Sequence, residues 1–72
     1  MHPSEWPESF LQRKETYISN NAVYAVASDG RRVMFGTDTA YVKSEWIGDV
    51  IFITTNYGRR YRWYGPSGSE TV

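Results

Sequence analysis

The residues with the most chemical potential form one run near the end of the chain, Arg59-Arg60-Tyr61-Arg62-Trp63-Tyr64. Guanidinium groups pair bidentately with carboxylate or phosphate and also stack on aromatic rings. Alternate side chains of a strand share a face, so Arg59, Tyr61 and Trp63 fall on one side and Arg60, Arg62 and Tyr64 on the other. Arg31 and Arg32 open a second β-prone run. If both runs share a sheet, up to five guanidiniums with interleaved rings make a patch for an acidic protein surface or a nucleic acid. The same strand has a plainer reading. Tyr61 and Trp63 then pack into the core, and the arginines are solvated edge charges that discourage aggregation.

Catalysis has little to work with. The one histidine, His2, stands beside Pro3 in a terminal arm, whereas a general base must be held within hydrogen-bond reach of its substrate. Cysteine is absent, which excludes a thiolate nucleophile, a disulfide framework and a thiolate zinc site. The serines gather in turns and near the ends, apart from Ser44, and none has a histidine to activate it. Carboxylates are spread singly, and the nearest pair in the arm, Glu5 and Glu8, suits the start of a helix. No glycine-rich phosphate loop and no metal-ligand spacing can be picked out. The expectation is a non-enzyme without metal or cofactor.

Charge separates the remaining function classes. Eight basic and eight acidic residues give a net charge of zero. Nucleic-acid binders that lack sequence preference usually carry a basic excess, because phosphate neutralisation supplies most of their affinity. A two-signed surface rich in rings fits another protein better, since aromatic residues and arginine are enriched at interfaces. Aromatic residues make up 17% of the chain, more than so small a core can hold, so some rings should remain outside. The sites expected to meet a protein partner are Arg59, Arg60, Arg62, Trp63, Tyr64, Arg31, Arg32 and, in the arm, Trp6. Trp6 could equally fold back onto its own sheet. The alternative function is a single-stranded nucleic-acid module, with Tyr61, Trp63 or Tyr64 stacking on bases and arginines on phosphates. A third reading, an assembly subunit, predicts a mass that rises with concentration.

The elements that must position these residues are mostly strands. Residues 1–15 read as an arm, with one or two helical turns over Pro7–Lys14, where proline suits the first helical position. Thr16-Tyr17-Ile18 is β-prone and stops at Ser19-Asn20-Asn21. AVYAVAS and RRVMF flank Asp29-Gly30, a hairpin cue because a type I′ turn needs positive φ at both central residues. Residues 39–47 fit a short helix or a strand, with strand or irregular structure favoured. Val50–Thr55 pairs with Arg59–Tyr64 across Asn56-Tyr57-Gly58, and its VIFI core marks a central strand. The sequence therefore predicts a mainly β domain over residues 16–65, an antiparallel sheet of about four strands built from two hairpins and able to curl towards a barrel. Gly65-Pro66-Ser67-Gly68-Ser69 ends regular structure in this reading, leaving 66–72 as a flexible tail.

This profile resembles small phage-encoded proteins that bind and redirect host machinery, host RNA polymerase among them. The likeness rests on size, the lack of cysteine and catalytic chemistry, and the hairpins at Asp29-Gly30 and Asn56-Tyr57-Gly58. It implies a small rigid sheet that blocks or redirects a surface of a larger complex, and it assigns no residue roles. Residues 1–20 do not read as a secretory leader, and the longest apolar run, Val50–Ile53, is far below the roughly 20 residues of a membrane span. A cytoplasmic protein is expected.

Overall fold

The computed structural model describes residues 4–66 and 68–72; His2, Pro3 and Ser67, which the sequence reading placed in the arm and the terminal turn, lie outside them. Turn chemistry sets the order of the elements. Asn20 and Asn21 take φ of 50° and 65° between β1 (Glu15–Ser19) and β2 (Ala22–Val26). Asparagine tolerates that left-handed region, and two such residues in succession suit the twist of a two-residue hairpin.

The next hairpin joins β2 to β3 (Arg32–Thr37), as expected, but through a different turn. Of Asp29 and Gly30 only Gly30 has positive φ, at 89°. Ser28, Asp29 and Gly30 form a three-residue connection in which the Gly30 N–H donates to the Ala27 carbonyl and the Ala27 N–H to that of Arg31. The Asp29 carboxylate accounts for the choice. Its Oδ1 accepts from the Arg31 N–H at 3.0 Å and its Oδ2 from Arg31 Nε at 2.8 Å, locking the turn from inside.

Residues 39–47 resolve as a strand, β4 (Tyr41–Ile47), which returns through Gly48 (φ 63°) into β5 (Val50–Thr55). Asn56-Tyr57-Gly58 then leads to β6 (Arg60–Gly65), with Gly58 at φ 87°. The stretch read as a flexible tail needs correction, because β7 (Gly68–Thr71) pairs antiparallel with β6 from Tyr61 to Gly65. A close approach accompanies the pairing: Gly68 has no side chain, and a Cβ would lie 2.4 Å from the Tyr64 ring.

The protein is mainly β; the described residues form antiparallel sheets of three strands (β1-β2-β3) and four (β4-β5-β6-β7) and one short helix. β1 and β4 lie beside each other, the Thr16 and Ser44 hydroxyls 3.1 Å apart, yet belong to separate ladders. Between the sheets sit Val23, Ala25, Ala27, Ile51, Ile53 and Trp63, capped by Trp6 and Phe10. From Glu5 onward the arm is held in place. Pro7 presets the N-cap of α1 (Glu8–Arg13), and Lys14 ends it at φ 48°. Ahead of the helix, the Glu5 N–H donates to the Tyr64 carbonyl and Trp6 Nε1 to that of Trp63. The Trp6 ring closes the core against Phe10, Trp46 and Trp63, with centroids 5.1, 5.4 and 4.8 Å away.

Candidate interaction face

β5 and β6 position the candidate site, because their alternation separates core residues from surface ones. Ile51, Ile53 and Trp63 point inward, and Phe52, Arg60 and Arg62 share the opposite face. That face is ordered in rows by the ladders. One runs Glu45–Phe52–Arg62–Glu70, acid, ring, base, acid, and the next Lys43–Thr54–Arg60. Phe52 lies beneath both guanidiniums, 5.1 Å from Arg60 and 5.8 Å from Arg62. Each such contact contributes about 0.5–1 kcal/mol at an exposed position. The ring therefore serves as a base plate that keeps two flexible cations standing over the sheet.

The arginines differ in how much attraction they have left. Arg62 is held by Glu70 on β7 and is half-buried. Arg59 and Arg60 are exposed, and neither forms a salt bridge among the described residues. Arg59 stands at the end of the sheet, where Tyr57, Gly58, Arg59, Thr71 and Val72 line an open hollow of about 440 Å³. Thr55 makes this turn rigid. Its buried hydroxyl donates to the Arg59 carbonyl and accepts from the Arg59 N–H, both at 2.9 Å.

Two of the expected contact residues need correction. Trp63 is 3% exposed and Trp6 5%, so neither ring can meet a partner. Their indoles carry the largest apolar areas in the chain, and a core this small uses them to exclude water. Tyr61 also turns inward, against Phe35 and Tyr41. Tyr64 lies half-buried on β6.

The single patch of five guanidiniums does not form, since Arg31 and Arg32 belong with the three-stranded sheet and the other three with the four-stranded one. Arg31 is spent on Asp29. Arg32 donates to the Tyr17 hydroxyl at 2.8 Å, which holds its guanidinium above the ordinary value, and it lies 5.5 Å from the Tyr24 ring. Phe52, the ring on which the cationic face depends, was not singled out from the sequence. Its place in VIFI, opposite RRYR across a hairpin, was the available signal.

No family model, curated protein or solved structure matches this chain.

Proposed function

We propose that the chain is a non-catalytic protein-binding module that grips an acidic segment of a larger assembly through the outer face of β5 and β6. Occupying that segment occludes or redirects the assembly, and a host transcription complex containing RNA polymerase is the first candidate. The observation that carries this reading is Arg60, exposed and without a carboxylate partner among the described residues, over a Phe52 that orients it, with the exposed Arg59 at the adjoining end of the sheet. A net charge of zero argues against phosphate tracking as the main source of affinity. Arginine anchored on a ring and free to meet a carboxylate is a common centre of binding energy between proteins.

The nucleic-acid alternative has less support. Trp63 is in the core, Tyr61 packs on Phe35, and Phe52 is overlaid by guanidiniums, which leaves Tyr57, exposed beside Arg59, as a ring open to a base. Affinity capture from nuclease-treated host lysate separates the readings. Arg60→Glu, which leaves the core untouched, should remove the captured protein, and capture unchanged by the variant would refute the proposed face. Binding of a labelled oligonucleotide at low salt, falling steeply as salt rises, would support the alternative.

A further inference from the structure

The outer face of the three-stranded sheet is a second surface, separate from the cationic one. Its register lays out three rows: Glu15–Val26–Arg32, Tyr17–Tyr24–Met34 and Ser19–Ala22–Thr37. Tyr17 and Tyr24 are stacked, with centroids 5.1 Å apart and planes at 25°. Met34 beside them is 54% exposed. Ala22 and Val26 are buried but stand outside the core cluster. Charge is confined to the first row, with the acid on β1 and the base on β3.

That distribution is self-complementary, and the geometry points to a second copy of this chain as the occupant. Two such sheets would meet face to face about a two-fold axis parallel to β2. Under this symmetry β1 of each copy lies over β3 of the other. Glu15 then meets Arg32 of the second copy, and its own Arg32 meets the other Glu15. Tyr17 lies against Met34, a favourable sulfur–aromatic contact, and Tyr24 faces its own counterpart. Aligned sheets pack in this way about 10 Å apart with strands within about 30°. An axis across the strands would instead set Glu15 over Ser19 and leave both charges unpaired, so the row order selects one symmetry.

The pairing groups have capacity to spare. Arg13 occupies only Oε1 of Glu15, at 2.6 Å, and Arg32 engages Tyr17 through one terminal nitrogen. Net charge of zero removes the long-range repulsion that opposes association of identical chains. The two-fold contact leaves the β5–β6 face outward on both copies, so a dimer would present two cationic faces.

Sedimentation equilibrium of the full chain, from low micromolar to millimolar concentration, tests the dimer. The mass should rise to twice that of the monomer. Arg32→Glu and Glu15→Arg should each weaken dimerisation about tenfold or more, and the double variant E15R/R32E should restore it by remaking both pairs with signs exchanged. Met34→Ser, at an exposed position, should weaken it without touching a charge, with far-UV circular dichroism reporting folding in every case. Arg60→Glu should leave the mass unchanged, which keeps this surface distinct from the partner-binding one. A monomer throughout the range, a folded double variant that stays monomeric, or a dimer indifferent to Met34→Ser would overturn the proposal.

Discussion

Single residues set the local conformation, and Asp29 is the clearest case. The hydrogen bond from the Arg31 backbone N–H, helped by the Arg31 side chain, holds its carboxyl below the usual 3.8. A depressed folded value means the stabilisation is complete above the unfolded value and is lost as pH falls through the folded one. An NMR titration should therefore place the Asp29 midpoint below 3.8, with the Arg31 amide shifting at the same pH; a midpoint at or above it would refute the turn geometry. Two indoles give a contrasting pair. Trp63→Ala should cost about 3–5 kcal/mol as a large core truncation, a great part of the roughly 4–11 kcal/mol available to a chain of this length. Trp46 buries its Nε1–H without an acceptor among the described residues. Trp46→Phe removes that unmet donor, so its melting temperature should stay level or rise while that of Trp63→Ala collapses.

At the scale of elements, the decisive contact is between the N-terminal segment and β6. Gly65 permits it: a Cβ there would stand 2.8 Å from Glu5 Cβ and 3.1 Å from the Glu5 carbonyl carbon. Backbone cannot yield as a flexible side chain can. Gly65→Ala should push the segment off β6, break the Glu5–Tyr64 hydrogen bond and loosen Trp6 from its pocket. Tryptophan emission should shift to the red and the thermal midpoint should fall, and an unchanged spectrum would show that the segment tolerates the methyl group. Pairing of β7 with β6 has a functional consequence as well. It places Glu70 against Arg62 and so removes one of three neighbouring cations from competition for a partner.

For the whole molecule, arrangement matters more than composition. Net charge is zero, yet on the β5–β6 face Arg60 has no ion pair among the described residues, while other charges are paired locally, Arg13 with Glu15, Arg31 with Asp29 and Lys14 with Asp49. Partner capture through that face should weaken as salt rises towards about 1 M, where screening acts within about 3 Å, though less steeply than phosphate binding does. Isothermal titration across a salt series would measure the slope, and affinity independent of salt would exclude an acidic partner.

The amino-acid order by itself determined the β class, the hairpins at 29–30 and 56–58, the interior place of VIFI and the two-sided character of 59–64. These follow from short-range physics: turn residues with access to positive φ, and side chains that alternate along a strand. The fate of Trp6 and Trp63, the inward turn of Tyr61, the separation of the arginines between two sheets and the pairing of 68–71 were decided only by tertiary structure. Each depends on which distant surface a residue meets. An indole beside arginines can as well face water as a core until the opposing sheet is in place, and a polar segment such as Gly68-Ser69-Glu70-Thr71 becomes a strand only when β6 offers it a free edge.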